Sequence, residues 1–198
     1  MKPRLPLICC LLAAFSLAGC LRGTPPPSYY SLMPLAEPAM AATEPKQIRL
    51  GVVLGDFPEA LERIQILTRN GYRVDFSEQH RWAAPLRQEV ERVLVGNLGR
   101  ALGPEQVAPA PWPGYFNPTN RLVVDVQQLD GALCGAVELR ARWVVTDAAG
   151  RVVQLQQSPT LSEVADCGGY ADYVAAQSRL LARLSGEIMA ALENRALP

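Results

Sequence analysis

Apolar and polar positions along this chain follow two rhythms. In "QIRLGVVLG", Ile48, Leu50, Val52 and Leu54 alternate with polar or small neighbours, the period-two pattern of a strand. "RIQILTRN" and "YRVDF" read as two further short strands, hinged at Asn70-Gly71, a strong hairpin signal. The period then changes. Across "APLRQEVERVLVGNLGRALG", residues Leu86, Val90, Val93, Leu94, Leu98, Ala101 and Leu102 recur at steps of three and four, one face of an amphipathic helix. Pro85 suits its first turn and Gly103-Pro104 stops it.

A connecting loop over 103–120, with five prolines, leads into the most regular part of the chain. Leu122, Val124 and Val126 alternate with Val123, Asp125 and Gln127. Val137, Leu139, Ala141, Trp143 and Val145 face one way, and Glu138, Arg140 and Arg142 the other. "DAAG" turns the chain and "RVVQLQQSPTLSEV" runs back, completing an antiparallel meander with one dry and one wet face. A last helix is predicted from Ala171 to Leu192, with Val174, Leu181, Leu184, Ile188 and Leu192 along its buried stripe. Earlier, "YYSLMPL" (Tyr29 to Leu35) reads as a first strand and "AEPAMAATEPK" as a loop. The expected fold class is α+β: a mostly antiparallel sheet with both amphipathic helices packed on one face.

The first residues have another character. "MKPR" is positive, and "LPLICCLLAAFSLA" is an apolar run of roughly a dozen residues, short of the ~20 that span a bilayer. It ends in Leu17-Ala18-Gly19-Cys20, which looks like a bacterial lipobox. Read so, residues 1–19 are a signal peptide, and Cys20 takes a diacylglyceryl group before the cut and an N-acyl group after it. The plainer reading is an ordinary signal cleaved after a small residue, with Cys20 incidental. Two or three acyl chains hold a protein on a membrane where one would be marginal. Residues 20–28, "CLRGTPPPS", then form a lipidated, proline-rich tether, and 29–198 a single α+β domain. Leu21 follows the cysteine where lipoproteins kept in an enteric inner membrane commonly carry Asp. The expected location is therefore the outer membrane, facing the periplasm.

Composition narrows the partners. The chain carries 19 Lys and Arg against 19 Asp and Glu, and removal of the signal takes Lys2 and Arg4 with it. Such a near-neutral surface argues against nucleic acid as a partner. With Cys9 and Cys10 gone and Cys20 acylated, Cys134 and Cys167 remain, and a pair in an oxidising compartment suggests a disulfide. Pairing Asp147 with Gly150 across the turn sets Cys134 opposite Glu163, with Cys167 four residues further at the same end of the sheet. Two separate thiols, one buried, are the alternative.

Candidate chemistry is thin. His80 is the only histidine, so a metal site has few ligands to draw on and none at the usual close spacing. The chain holds neither a G-x-x-x-x-G-K-[ST] phosphate loop nor a G-x-S-x-G elbow. No catalytic or metal residue is assigned, and no cofactor beyond the lipid on Cys20. Two aromatic features stand out instead. Trp82, just ahead of the first helix, either staples the helix start onto the sheet or offers a partner contact at the sheet edge. In "PAPWPGYFNP" (Pro109 to Pro118), Trp112, Tyr115 and Phe116 lie among prolines, either as a partner-binding surface or as a cluster folded under the loop.

These landmarks occur in a telling order: a lipobox, "YYSLMPL", "GVVLGDFPEALERIQILTRN", "RWAAPLRQEVERVLVGNLGRAL", the "VELRARWVVTDAAGRVV" hairpin and the helix "YVAAQSRLLARLSGEIMAAL". Together they resemble the PqiC/YmbA family, the ABC-type transport auxiliary lipoproteins, over nearly the whole mature chain. The resemblance implies a non-enzymatic periplasmic lipoprotein that docks an MCE-domain protein of an intermembrane lipid transport system and forms a ring-shaped homo-oligomer. It carries over no partner-contact residue. Rival readings are a carrier holding lipid in an apolar pocket between helix and sheet, and an envelope hydrolase.

Overall fold

Over the described residues, 25–35, 48–157 and 160–193, the computed structural model runs β1 (Ser28–Tyr30), β2 (Leu50–Leu54), β3 (Gln65–Asn70), β4 (Arg73–Trp82), α1 (Leu86–Leu102), β5 (Val107–Pro109), β6 (Asn120–Gly131), β7 (Gly135–Asp147), β8 (Val152–Gln157), β9 (Leu161–Ala165) and α2 (Tyr170–Glu193). Cys20, the segment read as a lipobox and the loop expected over "AEPAMAATEPK" lie outside the described residues.

The strict alternation of 122–126 and 137–145 produces the longest pair of strands. β6 and β7 run antiparallel, with Leu122 opposite Val145, Val124 opposite Trp143 and Val126 opposite Ala141. All six of these side chains are buried. The turn joining the two strands needs Gly131, because a Cβ there would run into the Ala136 carbonyl oxygen. On the dry face α1 and α2 pack side by side, joined at one point by Asn97 Nδ2 donating to Ser185 Oγ at 3.4 Å. Leu94, Leu98, Leu180, Leu181 and Leu184 are sealed against Leu139 and Trp143 in one continuous core.

The α+β class holds and most of the pairing is antiparallel, but the strands form two sheets, and both are mixed. A three-stranded sheet has the order β1-β4-β3. A six-stranded one has the order β5-β2-β6-β7-β8, with β9 on the first half of β7. β1 lies parallel to β4, and β2 lies parallel to both β5 and β6. Between β2 and its neighbours the chain passes through the β3–β4 hairpin and α1, and such a crossover returns strands in the same direction. The alternation at 48–54 reveals a strand, not its partners.

Boundaries also differ from expectation, and β4 runs past Phe76 to Trp82. The returning segment after "DAAG" is two strands, β8 and β9, with Pro159 between them in the sequence; proline has no N–H to give a ladder. The 103–120 loop contains a 3₁₀ turn (Pro104–Gln106) and β5. Finally, "YYSLMPL" is a strand only as far as Tyr30.

From Ser31 to Leu35 the chain leaves the sheet and straps across the helices. Leu32 is fully buried. Glu89, buried in the first turn of α1, accepts from Ser31 Oγ at 2.7 Å, the Leu32 N–H at 3.0 Å and Arg92 Nη2 at 2.6 Å. Arg92 also donates to the Leu32 carbonyl at 2.6 Å, Arg100 to the Pro34 carbonyl at 2.8 Å, and Ser178 of α2 accepts from the Met33 N–H at 3.1 Å. Gly96 leaves room for Pro34, since a Cβ there would stand 3.1 Å from the proline ring.

Candidate interaction site

The aromatic segment that follows β5 is held by the start of β2 and β6. The Ala110 N–H donates to the Val52 carbonyl at 2.8 Å, and the Phe116 N–H to the Pro113 carbonyl at 2.8 Å, closing a turn. Arg49 fastens the far side: its Nη2 donates to the Tyr115 carbonyl at 3.2 Å, and its guanidinium sits 4.7 Å from the Phe116 ring centre. Trp112 lies over Gly51, where a Cβ would come within 2.8 Å of the indole, and the Arg121 guanidinium covers it at 5.6 Å. Cation and ring attract through the ring quadrupole.

Three neighbouring aromatics thus have three fates. Phe116 is buried, Trp112 is half-buried, and Tyr115 is 80% exposed above them. Phe116 beside Arg49 and Trp112 beside Arg121 secure the loop that holds Tyr115 out to solvent. A rigid, exposed Tyr supplies large contact area at low entropy cost, which is why such residues are enriched in protein interfaces. Trp82 has a different place. It is 2% exposed, its N–H donates to the Ile64 carbonyl at 2.8 Å, and the ring lies within the core where β4 turns into α1.

At the other end of β6, Cys134 and Cys167 are joined by a disulfide with Cα atoms 4.6 Å apart. The register is not the one expected: Val137, not Cys134, faces Glu163, and Gly135 faces Ala165. A shift at Val145/Thr146 and the division of the returning segment into β8 and β9 bring Cys167 beside Cys134.

Nearby, a cleft of about 290 Å³ lies between the two sheets, lined by Leu61, Arg69, Gln128, Asp130 and Arg140 among others. Asp130 is almost fully buried and is held by Arg69 and by Gln128 Nε2 at 2.9 Å. This carboxylate also raises the Arg69 guanidinium above its already high value. Burial pushes the Tyr173 hydroxyl well above the ordinary tyrosine value, so it stays protonated and donates to the Leu67 carbonyl at 2.9 Å. The cleft is polar and internally paired.

His80 pairs through Nδ1 with the Tyr30 hydroxyl at 2.8 Å and stacks on Tyr170 at 3.9 Å, tying β1 and β4 to the start of α2. Among the described residues no three His, Cys, Asp or Glu side chains gather as a metal site, and no helix is long and apolar enough to cross a membrane. Sequence reasoning singled out neither the Arg69–Asp130 pair nor the Glu89 strap. Their partners stand 61 and 57 or more residues apart, and the only local hint was a glutamate, Glu89, on a mostly apolar helix stripe.

Two solved structures share this architecture. One, an uncharacterized protein, superposes with a TM-score of 0.65 at 24% identity, over 85% of this chain and 99% of that one. The other, protein XCC0632 from Xanthomonas campestris, gives 0.67 at 17% identity, over 81% and 91%. At these identities the likeness speaks for the fold. No curated protein matches the chain significantly. A family model covers residues 30–189, from the last residue of β1 almost to the end of α2, and so takes in the strap, both sheets and both helices. The chain belongs to the family of ABC-type transport auxiliary lipoprotein components.

Proposed function

We propose that this protein is the docking subunit of an MCE/ABC-type intermembrane lipid transport system. Acylated at Cys20, it is held at the outer membrane with its domain in the periplasm, and it assembles as a ring-shaped homo-oligomer. The family membership over 30–189 carries this reading; a lipobox just upstream and the braced, exposed Tyr115 support it. β5 and β8 terminate the six-stranded order, and a terminal strand is a ready template for pairing with another chain. A docking role also suits the interior. Leu, Val and Trp side chains fill the space between helices and sheet, and in the cleft beside Asp130 the apolar residues Pro58, Ala60 and Leu61 face charged and amide groups.

The test is crosslinking from position 115 in intact cells, followed by identification of the captured protein. An MCE-domain partner is expected; repeated capture with none would overturn the reading. Mass spectrometry of gently purified protein addresses the carrier role, which requires stoichiometric bound lipid.

A further inference from the structure

We infer that the tip of the β3–β4 hairpin, centred on Tyr72, rests on the lipid surface into which the anchor is inserted. This rests on the proposed acylation of Cys20. β1 is parallel to β4, with Ser28 beside His80 and Tyr30 beside Trp82. The chain upstream of Ser28 therefore arrives from the end of β4 that carries the hairpin turn. Two lengths then bear on the contact. β4 bulges between Phe76 and Arg81, where it opposes only Leu67 to Gln65 of β3, so the hairpin turn stands about five strand steps, ~17 Å, beyond Arg81. From Cys20 to Ser28 is eight residues, whose proline-rich sequence bounds the reach at about 25 Å. The reach of the anchor covers the distance to the hairpin tip.

The tip has the chemistry for that contact. Gly71, at φ +58°, makes the tight turn, and Tyr72 beyond it is fully exposed, at 107%. The neighbouring Arg73 side chain is 78% exposed and paired with Asp75 at 2.8 Å. A phenol ring with a wet hydroxyl suits the headgroup layer of a membrane. The hairpin is also braced. Arg69, one residue before Asn70, is bound to Asp130 at the far end of β6, nine residues and about 30 Å from Arg121 and the Tyr115 loop. With the tip on the lipid, Tyr115 stands well away from the membrane.

The experiment uses the full acylated lipoprotein in vesicles of phosphatidylethanolamine and phosphatidylglycerol with brominated acyl chains. An environment-sensitive fluorophore is placed at Tyr72→Cys, at Asn70→Cys as a second tip site, and at Tyr115→Cys. Blue-shifted, quenched emission at both tip sites and neither effect at 115 is expected. Flotation of the protein with vesicles but an unquenched tip, or equal quenching at 72 and 115, overturns the contact alone. Failure to float, with no acyl group on Cys20 by mass spectrometry, overturns the anchor and the contact with it.

Discussion

Arg69 grips Asp130 through three hydrogen bonds, Nε to both carboxylate oxygens at 3.0 Å and Nη2 to one at 2.8 Å, and so pins the three-stranded sheet to the six-stranded one. The two partners are unequally exposed: 38% of the Arg69 side chain is accessible and only 5% of Asp130. Removing the arginine leaves a buried carboxylate with Gln128 alone, whereas removing the carboxylate leaves an arginine that can turn to water. Arg69→Ala should therefore cost about 2 kcal/mol, more than Asp130→Asn. Urea unfolding of both variants checks the order.

The Cys134–Cys167 bridge closes a loop of sequence separation 33. Replacing both cysteines by serine should lower stability by about 3–4 kcal/mol on the chain-entropy account. Unfolded mature protein without reductant should show no titratable thiol.

Glu163 gives the fold a specific response to acid. Burial pushes its carboxyl up, but Arg183 and Arg179 outweigh this and hold it below the usual glutamate value of 4.5. With the folded value below the unfolded one, the unfolded chain binds more protons in this window, so stability rises with pH across it. The contribution is complete above 4.5 and disappears as pH falls through the folded value. Melting temperatures of Glu163→Gln should show a shallower acid slope than the unaltered protein.

Leu32 is fully buried although it lies in an irregular strap. Leu32→Ala should destabilise by about 2–5 kcal/mol and open the segment around Ser31 to protease before the core unfolds.

In the aromatic loop, neighbouring positions should separate function from stability. Tyr115→Ala removes an exposed ring and should change stability by no more than about 0.5 kcal/mol while weakening partner capture. Phe116→Ala, which empties a buried site under Arg49, should cost about 3 kcal/mol. Equal stability losses in thermal unfolding would contradict this division.

Most elements were legible because the patterning is local. Val137, Leu139, Ala141, Trp143 and Val145 alternate without a break, and all are buried; the stripe from Val174 to Leu192 has the same clarity on α2. The pairing of strands was hidden because period two at Leu50–Leu54 is the same for parallel and antiparallel neighbours. "YYSLMPL" misled for a related reason: Leu32 is apolar and buried like a strand residue, but its N–H goes to Glu89, 57 residues away. The disulfide pairing was within reach of a register argument, yet its position depended on a shift at Val145/Thr146 that no local motif announces. Of the four aromatics read as candidate contacts, burial separates Trp82 and Phe116 from Tyr115, and that distinction exists only once the chain is folded.

The strap and β1 also decide how the molecule bears load. β1 lies alongside β4 in the same direction, so tension arriving through the N-terminal leash acts along the rungs' shear direction and must break them together rather than unzip them singly. Behind them, Leu32 and the Glu89 cluster form a second stop. On the proposed anchoring, a pull on the N-terminus would meet β1 first and then the Leu32–Glu89 fastening.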